Sequence, residues 1–254
     1  MNIELSVALP VWKSNSIAWL AMESLCRQDV PPCDWELLVC EEPHDEVCGT
    51  SFFESYASRL FEKGCRRLLY LSLETWAPLS EKWHLMGAAV SAASRAFLLQ
   101  AADDYSFRER LCKTHRRVVE EEHDWYDVAR APFCDVASMA LATYDRGGDV
   151  SRTHLGIAFA SKHARTIPRV VLRKNVDGML FDHCRREAGE SFRRFTDFSD
   201  YAWVFTSGYN TISLKRAEKI EKGLAPYKPG PASLEAIGLP TDIIERLRTR
   251  ESST

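Results

Sequence analysis

Over its first hundred residues the chain alternates short apolar runs with segments of helical period, and no other feature constrains the fold as much. Leu5 to Leu9 reads as a buried strand, and Ile17 to Arg27 as a helix behind a Ser14-Asn15-Ser16 cap region. Glu36 to Cys40 is a second strand. Phe52 to Lys63 is helical and stops at Gly64, where a C-terminal cap is expected. Arg67 to Leu73 is a third strand, Glu81 to Ser94 a helix and Ala96 to Gln100 a fourth strand. This order predicts an α/β fold, with a mostly parallel central sheet flanked by helices on both faces.

The pattern then loosens. Tyr105 to Glu122 holds a basic helical stretch with Arg108, Arg110, Lys113, Arg116 and Arg117. Cys134 to Thr143 and Leu155 to Ser161 read as strands, Val176 to Ala188 as a helix stopping near Gly189, and Tyr201 to Thr206 as a strand. Ala225 to Pro231 has the composition of a linker, and Ser233 to Arg250 that of one or two short helices forming a docked tail. The 254 residues suffice for one large α/β domain or two small ones.

Charge is divided unevenly. Residues 1–150 carry a balance of −9 and residues 151–254 one of +6. The later part therefore either faces something anionic or simply offsets an acidic half. None of the eight cysteines shows CxxC spacing, which argues against zinc-knuckle and thioredoxin readings, and reduced core thiols are expected. The longest apolar stretch, Gly87 to Ala102, is interrupted by Arg95 and falls short of the ~20 residues of a membrane helix. The opening residues lack a basic n-region, so no signal peptide and a cytoplasmic location are expected.

No GxGxxG, GxxxxGK[ST] or GxSxG motif is present, which disfavours dinucleotide-binding, P-loop and α/β-hydrolase sites. Acids stand in their place. The second strand runs into Glu41-Glu42, and the fourth leads through Gln100-Ala101-Ala102 into Asp103-Asp104. Ligands of open α/β sheets bind outside the carboxyl ends of the strands, where both pairs fall. Neighbouring carboxylates repel. A hard divalent cation, Mn²⁺ or Mg²⁺, relieves that repulsion and takes its remaining ligands from phosphate and water.

In order along the chain, these segments resemble family 2 of the GT-A-fold (Rossmann-like) glycosyltransferases. Ser6 to Trp12 (SVALPVW) is similar to that family's opening strand, SVVIP-x-Y-N. Leu20, Glu23-Ser24-Leu25 and Gln28 match its first helix. Asp34 to Glu42 (DWELLVCEE) resembles D-W-E-L-I-V-V-D-D with both aspartates replaced by glutamates. Ala101 to Asp104 aligns with D-A-D-D, its first acid lost. Val176-Asp177 stands where the family has a short E-D at the start of a helix, and Trp203 to Ser213 is similar to its H-G-N-N-T-S element. Asp200 is the alternative match to the E-D aspartate; Asp177 is preferred because a helix must follow the motif.

The resemblance covers residues 3–214. It implies a glycosyltransferase-like domain over 1–225, with a nucleotide-sugar half (1–104) and an acceptor half (105–225), then a Pro-rich linker and helical tail over 226–254. It further implies an inverting, metal-dependent transfer of a sugar from a nucleotide-diphospho-sugar, a UDP-sugar for preference, to an acceptor hydroxyl. Pro10, Trp12, Glu41, Glu42, Lys82 and Asp103 would bind the donor, Asp103 and Asp104 the metal, and Asp177 would act as base. Short segments such as Asp124 to Asp127 also resemble bacteriophage GT-A enzymes, some of which modify hydroxymethylated bases in DNA. Modified DNA and glycans are therefore both candidate acceptors, with the basic residues, Arg165, Arg169, Arg173 and Lys174 among them, meeting phosphates in the first case. His154 could approach the metal, but a hydrogen-bonded structural histidine is the expected reading. A nucleotidyltransferase and a non-catalytic nucleotide-binding or interaction domain are the competing readings.

Overall fold

The structure is a computed structural model that describes residues 2–12, 17–43, 47–135, 140–145, 155–172, 175–198, 202–206, 227–230 and 233–251. Strand β1 (Ile3–Val11) is followed by α1 (Ala18–Cys26), β2 (Asp34–Glu41), α2 (Gly49–Glu54), α3 (Ala57–Glu62), β3 (Cys65–Ser72), α4 (Leu79–Ala88) and β4 (Ala96–Leu99). These are the elements expected of the first hundred residues, with the helix over Phe52 to Lys63 resolved into two short ones. The second of them gives way to Gly64 at φ +88°, the left-handed turn that glycine takes without strain.

The later chain holds β5 (Asp104–Ser106), α5 (Arg110–Thr114) running into a π-helical segment (His115–Glu120), β6 (Trp125–Val128), β7 (Arg130–Asp135), β8 (Ala140–Asp145) and β9 (Leu155–Ala160). Next come α6 (Ser161–Ala164), α7 (Val176–Ala188), β10 (Arg194–Asp197), β11 (Ala202–Thr206), β12 (Tyr227–Pro229) and α8 (Thr241–Glu251). Three expectations are corrected. The single strand over Cys134 to Thr143 is two antiparallel strands, β7 and β8. The basic helical stretch begins with a strand, β5. The stretch of linker composition contributes β12, which pairs antiparallel with β8. Ser14-Asn15-Ser16 lies outside the described residues.

Seven strands form the central sheet in the order β10-β6-β9-β4-β1-β2-β3. All neighbours are parallel except where β9 lies between β4 and β6. A second sheet runs β12-β8-β7-β11-β5. Side chains alternate across β1, so both faces of the large sheet are buried. Leu5, Val7 and Leu9 pack with Ala18, Met22 and Leu25 of α1 on one face, and Ala8 packs with Trp83 and Met86 of α4 and Leu180 of α7 on the other. Every residue of α1 is buried, because its far side carries Trp19 and Leu20 against Tyr105 of the second sheet and Ile243, Ile244 and Leu247 of α8. Helix α4 lies close on α6: a Cβ at Gly87 would stand 2.2 Å from the Ala164 carbonyl oxygen.

Candidate active site

The parallel core of the sheet sets one rim. The carboxyl ends of β1, β2, β3 and β4 point the same way, so Pro10 to Trp12, Glu41-Glu42 and the turn holding Asp103 share that rim. Pro10 stands opposite Cys40 near the end of β1, and Trp12 follows the strand with 39% of its surface exposed.

The two glutamates at the end of β2 are both buried but differently engaged. The Glu41 carboxylate accepts hydrogen bonds from the backbone amides of Cys48 (2.8 Å) and Gly49 (3.0 Å) and from the Tyr70 hydroxyl (2.7 Å). It thus braces the start of α2 against β3. Burial, then the hydrogen bond to Glu41, pushes the Tyr70 hydroxyl well above its usual range, so it remains a donor. Glu42 Oε1 stands 3.3 Å from Lys82 Nζ, and its Oε2 accepts from the Ala77 amide at 2.8 Å. Lys82, buried in α4, also donates to the Val11 carbonyl at 2.8 Å. The ammonium therefore ties the ends of β1 and β2 together. Burial lowers its pKa, and the neighbouring Glu42 opposes that shift. Ala77 follows Trp76, which is 52% exposed on the same rim. Sequence reasoning missed Trp76, because nothing local separates an exposed tryptophan from a core one.

Asp103 is buried in the turn after β4, and Asp104 opens β5. The carboxyl of Asp104 is pushed well above the usual carboxylate range. Burial is the main cause, followed by the negative charge of Asp103; Asp177 adds to it and Arg110 opposes it. Asp177 lies in the first turn of α7, preceded by Asn175 in the left-handed region at φ +55°. The fold therefore brings three carboxylates, Asp103, Asp104 and Asp177, within electrostatic reach of one another. Beneath the turn, buried Arg110 donates to Gln100 Oε1 (3.1 Å), Ser106 Oγ (2.5 Å) and the Leu99 carbonyl (2.7 Å), while the Gln100 amide holds the carbonyls of Ala101 (3.0 Å) and Asp104 (2.9 Å). This network fixes the turn that carries Asp103 and Asp104. Both are oxygen donors of the kind a hard divalent cation takes, but the three carboxylates do not all lie within 4.8 Å of one another.

Several of the basic residues make ion pairs or backbone hydrogen bonds. Arg108 pairs with Asp29 (2.6 Å), Lys113 with Glu109 (3.0 Å), Arg117 with Glu121 (2.7 Å) and Arg169 with Glu81 (2.7 Å). Arg165 donates to the carbonyls of Ser91, Ala92 and Ser94. Asp200, His154, Arg173, Lys174 and the segment from Ser207 to Ser213 lie outside the described residues.

No protein-family model matches the sequence, and no curated protein does. Solved structures do match. S. aureus TarS 1–349 in complex with UDP-GlcNAc superposes with a TM-score of 0.64 at 14% identity, over 82% of this chain and 60% of that one. A longer S. aureus TarS chain gives 0.60 at 15% identity, over 81% of this chain and 37% of its own length. The mannosyltransferase PcManGT from Pyrobaculum calidifontis, in complex with GDP-Man and Mn²⁺, gives 0.54 at 11% identity, over 88% of this chain and 61% of that one. This chain thus spans less than two thirds of each of these three. The fold is that of the GT-A glycosyltransferases, a mixed α/β architecture around a seven-stranded central sheet. Among the described residues no helix is long and apolar enough to cross a membrane.

Proposed function

We propose that the protein is a metal-dependent glycosyltransferase that moves a sugar from a nucleotide-diphospho-sugar, a UDP-sugar for preference, to an acceptor hydroxyl with inversion. What supports this reading is the electrostatic influence of Asp177 on the buried Asp104 carboxyl beside Asp103, in a fold shared with nucleotide-sugar complexes. Asp103 and Asp104 would hold Mn²⁺ or Mg²⁺, which supplies charge neutralisation to the diphosphate as it leaves.

The chain's own residues have separable tasks. Trp12 and Trp76, both part-exposed on this rim, would contact the nucleotide base. Glu42 keeps a lone pair on each oxygen beyond its bonds to Lys82 and Ala77, so it can accept from a pyrimidine N–H. Lys82 acts from behind, by holding Glu42 and the end of β1 in place. Glu41, with three internal donors, is assigned the bracing of α2 rather than donor contact. Asp177 takes the proton from the acceptor hydroxyl. The freed oxygen attacks the anomeric carbon as the bond to the diphosphate breaks on the opposite face, and the diphosphate leaves with the electron pair. The acceptor hydroxyl belongs to a glycan or to a modified base in DNA: Arg108 and Arg169 keep most of their side chains exposed in their ion pairs, so phosphate contact stays open to them.

Calorimetric titration of UDP with and without Mn²⁺, on wild type, Asp103→Ala and Asp177→Asn, tests the assignment. We expect Mn²⁺-dependent binding that Asp103→Ala loses and Asp177→Asn keeps. Asp177→Asn should also lower sugar transfer by about 10²–10⁴-fold, the usual contribution of a general base. Absence of binding with UDP, GDP, CDP and dTDP alike would overturn the reading in favour of a non-catalytic domain.

A further inference from the structure

A second cluster of ligating side chains lies at the opposite rim, where the parallel strands begin. Glu4 is the second residue of β1, Cys33 immediately precedes β2, and His115 opens the π-helical segment after α5. A carboxylate oxygen of Glu4, the thiol sulfur of Cys33 and a ring nitrogen of His115 all lie within 4.8 Å of one another. His115 Nε2 is 3.1 Å from Glu4 Oε2. Ligand atoms around a tetrahedral zinc ion stand about 3.5 Å apart, as bonds of about 2.0–2.3 Å require. Three atoms already this close need only side-chain adjustment to share an ion.

The surroundings point the same way. His115 is buried; its Nδ1 lies 3.3 Å from Glu120 Oε1 without a hydrogen bond to it, and its Nε2 is the nitrogen on the Glu4 side. Cys112, one helical turn before His115, reaches back to the carbonyls of Val30 (3.7 Å) and Asp29 (3.9 Å) on the segment that leads to Cys33. A π-helical turn is uncommon and frequently marks a functional site. Here it begins at the histidine itself.

We propose that Glu4, Cys33 and His115 bind one Zn²⁺ ion, with Cys112, whose thiol now lies outside the 4.8 Å cluster, turning in as the fourth ligand, and that the ion clips the α5–π segment to the starts of β1 and β2. The mixed sulfur, nitrogen and oxygen donors select zinc over the hard cations suited to the opposite rim. The site is structural. It anchors the segment that carries Arg110 beneath the Asp103–Asp104 turn. It is independent of the proposed transferase activity.

Metal analysis of protein dialysed against Zn²⁺, paired with Co²⁺ substitution, tests it. We expect about one equivalent of zinc in wild type and in Asp103→Ala alike, and a sulfur-to-cobalt charge-transfer band that Cys33→Ser removes and Cys112→Ser weakens. Glu4→Gln, which keeps the shape of the side chain, should weaken zinc affinity at least about tenfold, with an unchanged circular dichroism spectrum. Zinc absent from wild type, cobalt bound without a thiolate band, metal lost in Asp103→Ala, affinity unmoved in Glu4→Gln, or a Cys33–Cys112 disulfide in the unreduced protein would each overturn the proposal.

Discussion

The two rims of the central sheet handle charge in opposite ways. At the rim where the parallel strands begin, each buried acid has its counterpart. Glu36, fully buried in β2, accepts from Ser6 (2.5 Å), the Ser91 amide (2.8 Å) and Arg67 (2.9 Å). Asp124, ahead of β6, accepts from Lys162 and His163, both at 2.8 Å, and from the Arg193 amide at 3.1 Å. At the rim where those strands end, Lys82 and Arg110 lie among five acids, and Asp104 is driven towards its neutral form. Matched charge stabilises a fold; accumulated like charge weakens it until a cation or a proton arrives. The second rim therefore carries the signature of a binding site, and the first that of a scaffold.

Breaking the matched pairs should have the largest effects. Lys82→Met leaves Glu42 buried without its ammonium and releases the Val11 carbonyl. Removing one partner of a buried pair costs about 3–5 kcal/mol, and urea denaturation should show a loss of this size, together with weakened nucleotide binding. An unchanged midpoint would mean that Glu42 finds water or another partner, and that the ends of β1 and β2 do not depend on the lysine. Glu36→Gln, at the opposite rim, deprives Arg67 of its counter-charge. The amide keeps part of the network, so the expected loss is smaller, about 2–3 kcal/mol. Sugar transfer per folded molecule should not change, because Glu36 lies at the far end of the strands. A fall in turnover without a fall in stability would show that the rims are coupled.

How much of this was legible follows from how local each feature is. The first four strands announce themselves as apolar runs. The acids Glu41, Glu42, Asp103 and Asp104 could be placed on one rim because strand ends follow from strand positions. The second sheet was legible only in part: β11 was read as a strand and β7 and β8 as one, but its edges were not. Its strands β5 and β12 are three residues long and stabilised by partners far along the chain, and Tyr227–Pro229 has the composition of a linker. Nor could the sequence show that Glu41 would be consumed by α2, that Lys82 would be buried, or that Arg110 would turn inward beneath the acids. Each depends on which side chain meets which backbone amide or carbonyl. The Glu4, Cys33 and His115 cluster has no spacing signature, because its members come from three separate elements.

The smallest expected effect is also the sharpest, because the rims should differ in sign. Asp104→Asn removes a charge that the fold disfavours, so in metal-free buffer it should raise the unfolding midpoint, by about 2–4 °C for each 1 kcal/mol gained. A carboxyl whose folded pKa is raised above its ordinary 3.8 contributes stability that is complete below 3.8 and is lost as pH climbs through the raised value. The advantage of the variant should therefore be slight near pH 4 and grow towards neutrality. Asp124 and His163 behave oppositely. Burial opposes ionisation of Asp124, but Lys162, His163 and the Arg193 amide together hold it below 3.8, so its contribution is present above 3.8 and fades as pH falls through the lowered value. Burial holds the His163 imidazole below 6.5 against the pull of Asp124, so its contribution is present above 6.5 and fades as pH falls through its lowered value. Urea midpoints of wild type, Asp104→Asn and His163→Gln between about pH 4 and pH 8, in chelator, separate the two slopes. Mn²⁺ should then reverse the ranking at neutral pH, because it binds and stabilises wild type but not Asp104→Asn. If Asp104→Asn lowered the metal-free midpoint at every pH, the crowding of the three carboxylates would be compensated in the fold, and the contrast between the rims would fail.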